Sequence, residues 1–502
     1  MGKLIFTMVF SYIAAVASGD TFEVYTAEDL REKIAQVTDG DEIVLNPGTY
    51  LISERLEVNK NNVTLRSKAG KDETTIEGNS NILLLRVKGR NFAVNGITFK
   101  NGANAEGGAV KIDDSNVATT LKIVDCRFIG CKATRGGAIY AANEVHADYD
   151  PRRQCGLVSG CLFVNCAVTG SNGCGGAVYG SLWIEDCVFD ACSIDTDSGV
   201  GYGTSIAASS HMTVSNCVFK NQSVDNGSRG LIGRGSNVFQ QECPWGSVRL
   251  LDCVISCNTI DSSNTALFFK SVVLDRCVVS NTVTSVVTEG SNGGNLPSLY
   301  HDLDRTSSRI TSSLFIDNRC PFKLGSVPAL VNCTFAGNDG GLAYYESDTS
   351  EVAITNCVFW GNKAKTQWPW GKPYCGVPGL YWLKDKKLAE IIKLSNVVIE
   401  GGSVNDDVLA VLRADSSGKS ESLTALAAEK GPGFKDSEKG DWSLRKSSVL
   451  IDGGVRYEGI DVMKDLANNP RALKSGALYP GALPDIGCYE YYSIPGLCIL
   501  VR

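Results

Sequence analysis

Short runs of alternating apolar and polar residues recur along most of the chain, and each runs into a fixed phrase. Leu121-Lys122-Ile123-Val124 leads into Asp125-Cys126-Arg127-Phe128, and Met212-Thr213-Val214-Ser215 into Asn216-Cys217-Val218-Phe219. The phrase, an Asn, Asp or Gly followed by Cys-x-Phe, returns around Cys161, Cys187, Cys253, Cys333 and Cys357. Looser copies stand at Asn95-Gly96-Ile97-Thr98-Phe99, Arg276-Cys277 and Ser312-Ser313. A two-residue period predicts short strands, with the Cys and the residue two further on sharing one face. Asn, Asp and Gly tolerate a left-handed backbone, so the marker predicts a one-residue corner between two strands. Arg276 and Ser312 depart from that rule, and distorted corners are expected there.

A second phrase alternates with the first: Gly107-Gly108-Ala109-Val110, Gly136-Gly137-Ala138-Ile139 and Gly175-Gly176-Ala177-Val178. These are internal repeats. Spacings between Cys-phrase copies stretch from 20 residues (Ser313 to Cys333) to 36 (Cys217 to Cys253), which excludes helical-hairpin repeats of fixed length. Three short strands per turn, one tight corner and two loops of free length describe an all-β solenoid, a right-handed single-stranded parallel β-helix. Coils about 4.8 Å apart would align like side chains in ladders. Cys126, Cys161, Cys187, Cys217, Cys253, Cys277, Cys333 and Cys357 form one predicted ladder.

The ends read differently. Residues 1–19 carry Lys3, the apolar run 4–17 and the small residues Ala15-Val16-Ala17-Ser18-Gly19, the pattern of a secretory signal peptide. Residues 20–40 form an N-terminal cap: a strand over 21–26, then a helix over 27–37, with Thr26 as N-cap and Asp29 completing a capping-box-like pattern. The helix is expected to cover the open end of the solenoid, where bare strand edges would recruit other chains. The β-helix is expected over 41–383. A connecting segment, 384–430, looks helical at 384–393, 406–414 and 421–430, with one stray coil at 394–399. A closing region, 431–492, and a tail, 493–502, complete the chain.

The first coil begins at Gly40-Asp41-Glu42-Ile43-Val44-Leu45-Asn46-Pro47-Gly48-Thr49-Tyr50, a strand, a Pro-Gly turn and a strand. Here the chain resembles the pectate-lyase-like superfamily of secreted β-helix proteins. Its Gly-Gly-Ala-Ile and Phe-x-x-Asn phrases resemble the repeats of polymorphic outer-membrane proteins. Gly431-Pro432-Gly433-Phe434, Gly440-Asp441-Trp442, Asp452-Gly453-Gly454, Asn469-Pro470-Arg471 and Pro484-Asp485-Ile486-Gly487-Cys488-Tyr489-Glu490 together resemble the closing region of bacterial surface proteins of the choice-of-anchor Q type. That resemblance implies an anchoring signal further on. Leu497-Cys498-Ile499-Leu500-Val501 is too short to anchor anything by itself, so the expectation is secretion, with surface association second.

Charge narrows the partners. The formal net charge is −7, which argues against nucleic acid and anionic membrane surfaces and makes a polyanionic glycan less natural unless a local basic patch overrides the sum. Three His make a multi-His metal site improbable, and no later run of about 18 apolar residues predicts a membrane-spanning helix. Nineteen Cys in an exported chain raise the question of disulfides. Stacked neighbours have parallel Cβ vectors that suit the bond badly, so the ladder reads as buried thiols. Cys131, Cys166, Cys192 and Cys257, each at the turn after a ladder Cys, could cross-link adjacent coils instead. Zinc fits least, since no Cys-x-x-Cys pair occurs.

The fourth residue of each Gly-Gly phrase is predicted to point inward, and the fifth to point to solvent. Those fifth residues are Lys111, Tyr140 and Tyr179, joined by Tyr344 from Gly340-Gly341-Leu342-Ala343-Tyr344 and Phe268 from Thr265-Ala266-Leu267-Phe268-Phe269. Rings repeating along a flat face suit an extended sugar chain, or else they stack across coils and only stabilise the sheet. The loop Asn143-Glu144-Val145-His146-Ala147-Asp148-Tyr149-Asp150-Pro151-Arg152-Arg153 is dense in charge. The superfamily resemblance implies that such a loop walls a groove in which carboxylates hold Ca²⁺ and an Arg or Lys takes a proton. Asp148, Asp150, Arg152 and Arg153 supply those residue types, as any solvated loop would. Asp113-Asp114 and Asp195-Thr196-Asp197 are weaker cases. No catalytic set of polygalacturonases, pectate lyases or chondroitinase-B-type lyases is present. Three functions therefore stay open: a protein binding a polysaccharide or surface glycan along its side, a polysaccharide lyase or glycosidase, and a structural adhesin.

Overall fold

The computed structural model describes residues 19–113, 120–141, 156–170, 173–195, 201–224, 232–234, 248–260, 266–269, 272–283, 298–301, 309–319, 322–323, 329–339, 342–343, 352–363, 374–377, 380–383, 392–400, 421–422, 431–455, 464–471 and 483–491. Each alternating run forms one strand, and strands of successive coils pair in parallel. Leu121–Val124 lies in register between Phe92–Asn95 and Gly156–Ser159, and Arg127–Ile129 between Thr98–Lys100 and Leu162–Val164. The result is a right-handed parallel β-helix with three long faces. Face one has fourteen described strands, from Thr21–Val24 to Ile392–Ser395, and face two fourteen, from Gly48–Leu51 to Glu421–Ser422. Face three has nine, from Leu56–Val58 to Ser298–His301.

The predicted corners between faces one and two are present. Asp125, Asp186, Asn216, Asp252, Asn332 and Asn356 all have φ between 51° and 55°. Arg276 and Ser312, expected to be distorted, share the conformation at φ 52° and 48°. A left-handed backbone costs a residue with a Cβ about 1–2 kcal/mol, and both corners gain partners that offset it. The Arg276 guanidinium lies 2.7 Å from both Asp252 and Asp275, and Ser312 Oγ donates to Lys464 O at 2.9 Å.

One prediction about the loops is corrected. The link after face two is not free in length but is a second left-handed corner, at Gly130, Asn165, Ala191, Asn221, Cys257, Asn281, Asp317, Gly337 and Gly361. In six coils, counting that of Asn101, it leads into a further short strand: Ala103–Glu106, Lys132–Arg135, Ala167–Thr169 and Ser193–Asp195 form a small sheet of their own, and Ser223–Val224 pairs with Thr259–Ile260.

Inside, like stacks on like. Phe99, Phe128, Phe163, Phe189 and Phe219 form one stack, with successive centroids 4.7–5.4 Å apart, and Phe315, Phe335 and Phe359 form another. The predicted Cys ladder is buried, and its eight cysteines are free thiols. Cys131, Cys166 and Cys192 are free and buried too, so they do not cross-link coils; Cys257 is exposed at its corner. Further along, their position is taken by Gln222, Asn258, Thr282, Asn318, Asn338 and Asn362, all buried. The Phe-x-x-Asn phrase is this pair of ladders, a ring stack and an amide stack side by side.

The ends partly match expectation. The helix Ala27–Gln36 carries the capping box between Thr26 and Asp29, and Leu30 and Ile34 enter the core at the first coil. The coil predicted at 394–399 is present, with Ile392–Ser395 on face one and Val398–Ile399 on face two. The β-helix therefore continues past 383. Glu421–Ser422 is a strand pairing with Val398–Ile399, which corrects the helix begun at 421. Ile392 and Lys393, the end of the helix predicted at 384–393, are likewise strand; the remaining predicted helical residues of 384–430, and residues 1–18 of the signal peptide, lie outside the described residues. The closing region packs sideways on face two: Phe434, Trp442, Leu444, Leu450, Ile486 and Cys488 bury Leu314, Ala336, Val358 and Val398. Corner side chains hold its backbone, Asn396 through Gly453 O, Asn356 through Val455 and Asn332 through Asp485 O.

Candidate functional site

The outer row of face three runs Glu57, Arg86, Lys111, Tyr140, Tyr179 and Ala207, in register from coil to coil. The Gly-Gly phrase sets this row. Gly136 turns the chain at φ +61°, and a Cβ on Gly137 would run into the carbonyl oxygen of Gly176 in the next coil. Only glycine lets the strands enter so closely stacked. Val110, Ile139 and Val178 are fully buried, as predicted, so the fifth residues do lie on the outer side of the strand.

Their surroundings differ from the prediction. Tyr140 and Tyr179 are only 8% and 1% exposed, packed with Cys174, Ala207 and Tyr202. The two rings stack with centroids 5.6 Å apart and planes 28° from parallel. They are buried cross-coil partners, not an open platform. Phe268 is corrected as well: it pairs with Ile232 in the inward row and is fully buried. Tyr344 lies outside the described residues, as do Asp114, Asp148, Asp150, Arg152, Arg153 and Asp197. Asp195 ends the strand Ser193–Asp195 on the small sheet, not on face three.

Among the described fifth residues of the Gly-Gly phrases, Lys111 stays accessible, with 21% of its side chain exposed. Its Nζ lies 2.9 Å from Glu106, 3.4 Å from Asp113 and 5.9 Å from the centre of the Tyr140 ring. From it one continuous network extends over four coils. Asp113 pairs with Arg86, which reaches Glu57 at 3.5 Å. Glu57 also meets Lys88 at 2.6 Å and Arg55 at 3.2 Å, and Glu106 meets Arg135 at 3.6 Å. Five cations share three carboxylates. The Lys88 ammonium in the first place holds the Glu57 carboxyl below the usual range. Burial opposes ionisation of Asp113, but Arg86 and Lys111 outweigh it and hold this carboxyl low too.

Such a row of cations can trade an internal carboxylate for a carboxylate or sulfate of a ligand, exchanging one charge-assisted bond for another. The Ca²⁺ implied for a lyase does not fit these carboxylates, each already engaged by cations. No group of three or more His, Cys, Asp or Glu among the described residues could hold a metal ion. Sequence reasoning found Lys111 but missed Arg86 and Arg135. Arg86 lies in a coil that lacks the Gly-Gly phrase and Arg135 directly precedes one, and only the strand register sets Arg86 beside Lys111 and Arg135 beside Glu106.

No curated relative matches the sequence. Among solved structures, a mannuronic acid specific polysaccharide family 6 lyase from human gut microbiota has a TM-score of 0.31 at 12% identity. The match covers 80% of this chain and 96% of that one. A PL6 family alginate lyase, AlyGC, has a TM-score of 0.40 at 11% identity, covering 77% and 52%. A PL6 alginate lyase in complex with a trisaccharide has 0.30 at 12%, covering 78% and 98%. These are distant similarities, and the fold rests on the strand register itself. The family model described as chondroitinase B matches residues 24–138, the segment that carries the whole charged network.

Proposed function

We propose that this protein engages an anionic polysaccharide along the outer side of its first coils and acts on it as an exported polysaccharide lyase. The observation that carries the reading is the charge of that face. Five cations meet three carboxylates there, in a chain whose net charge is −7. A polymer lying along the axis would meet a new coil about every 4.8 Å, with its acidic groups on Lys111, Arg86 and Arg135. The match of residues 24–138 to the chondroitinase B model supports cleavage, since that name denotes an enzyme of a polysaccharide. In an elimination, a cation neutralises the uronate carboxylate, a base removes the neighbouring ring proton, and the glycosidic oxygen leaves, giving an unsaturated uronate. Asp148, Asp150, Arg152 and Arg153 are the proposed source of the remaining chemistry.

Retention without cleavage is a second reading, favoured by one observation: each of the five cations already has a carboxylate partner. The experiment is incubation of the chain with uronate polysaccharides and with a neutral glucan, following ultraviolet absorbance of the product and retention of the polymer. Unsaturated product supports the lyase, and intact retained uronate polymer the binder. Indifference to every polymer would sink both and leave a structural protein.

A further inference from the structure

The apolar strip that the closing region covers does not stop where the cover stops. Along the outer side of face two the first position of each strand reads Leu162, Val188, Val218, Val254, Val278, Leu314, Thr334, Val358 and Val398, in unbroken register. Leu314, Val358 and Val398 are buried by the closing region, with Val278 packed at the edge. Beyond that edge Leu162, Val188 and Val218 are partly exposed and Val254 is 37% exposed. Single exposed apolar residues need no explanation, but these four stand in one line of register that continues the covered strip.

The closing region itself points toward it. Its contacts step back along the coils, from Gly453 on Asn396 to Cys488 N on Thr334 Oγ1 at 3.1 Å, then Lys464 on Ser312. They end at Asn468 Nδ2, 3.2 Å from Asp252, the corner beside Val254. Tyr491 packs against the same cluster, and Ile494-Pro495-Gly496-Leu497-Cys498-Ile499-Leu500-Val501 follows it in the sequence.

We propose that residues 494–501 dock on the open stripe from Val254 toward Leu162, extending the cover that the closing region begins. The apolar residues of the segment match the stripe in kind, and the reach is sufficient. Tyr491 N binds Asp485, whose carbonyl is held by the Asn332 corner. That corner is three coils from Val254, about 14 Å along the axis, and the seven residues from Tyr491 to Cys498 span up to about 25 Å. The docked segment brings Cys498 near Cys257, the exposed thiol at the end of the Val254–Ser256 strand.

The test oxidises the full chain with diamide, which takes up the two electrons and two protons released as two thiols join, and maps the disulfides by mass. An intramolecular Cys257–Cys498 bond is expected. Pairing of Cys498 with any other cysteine in monomeric protein, or a Cys257–Cys498 bond found only in cross-linked dimers, would overturn the proposal, the dimers indicating a second copy as the occupant. A second measurement stands independently. Val218→Asp should raise the rate at which carboxypeptidase trims the tail by about tenfold, equal to about 1.4 kcal/mol of lost docking. An unchanged rate would overturn the proposal.

Discussion

A thiol at the first corner makes two hydrogen bonds at once. Cys187 Sγ donates to Glu185 O at 3.1 Å and accepts from Cys161 N at 3.4 Å, and Cys161 and Cys217 repeat the pattern in the neighbouring coils. Ser313 makes the same pair with oxygen, accepting from Cys277 N at 3.0 Å and donating to Thr311 O at 2.8 Å. The Cys ladder therefore supplies polar partners as well as filling space. Burial pushes the Cys187 thiol well up, so it stays protonated and inert. Cys187→Ala should destabilise the coil by about 1–3 kcal/mol because a buried N–H is orphaned, while Cys187→Ser should cost clearly less. Urea unfolding of both variants reads the difference, and equal losses would refute the hydrogen-bonding role. The sequence marked the ladder position in the coils from Cys126 to Cys357. It could not show the second bond, because the partner carbonyl lies across the corner.

At the scale of the element, ladders explain why some phrases were legible and others not. The Gly-Gly and Cys phrases recur with little change, since each of these glycines meets backbone and most ladder cysteines meet the next Cys. The second corner is occupied by Gly, Asn, Ala, Cys and Asp in different coils, so no single residue type announces it. The amide ladder behind it is just as strict in structure. Asn338 donates to Phe315 O at 2.9 Å and accepts from Asn318 N at 3.0 Å. Asn338→Ala removes both the acceptor of the buried Asn318 N–H and the donor to Phe315 O, and should cost about 1–3 kcal/mol, as measured by urea unfolding. On the outer side, alternation told which way Tyr140 and Tyr179 leave their strands, but not that Cys174 and Tyr202 pack against them. Tyr179→Ala should therefore act on stability, by about 3–5 kcal/mol as for other large buried rings. Loss of ligand retention at full stability would contradict that assignment.

The whole molecule is held together from the side as well as along its axis. The closing region is clasped by Arg471, whose Nη1 lies 2.5 Å from Glu490, with Asp465 and Asp485 buried beside the pair. Burial in the first place raises the Glu490 carboxyl to about 7 against the pull of Arg471, and Asp485 is raised for the same reason. A folded pKa above the unfolded value means that the native clasp binds more protons between about pH 4.5 and 7. Its contribution is full below that window and declines as pH rises through 7. Unfolding followed by Trp442 fluorescence should show this decline in the wild type and a flatter profile in Glu490→Gln. An increase of stability with pH across the window would contradict it.

The charged face at the other end bears the central claim, and it too emerged only at this scale. An acidic total hides a cluster of cations that meet because four coils stack in register. The most direct measurement is retention of a uronate polysaccharide by the wild type and by the Lys111→Gln/Arg135→Gln variant, over a range of salt and with thermal unfolding as a check on folding. The account predicts that retention falls with added salt, that the variant loses about tenfold in affinity, or about 1.4 kcal/mol, with its fold intact, and that a neutral glucan is ignored. Equal retention by wild type and folded variant, or equal retention of uronate and neutral polymers, would contradict it.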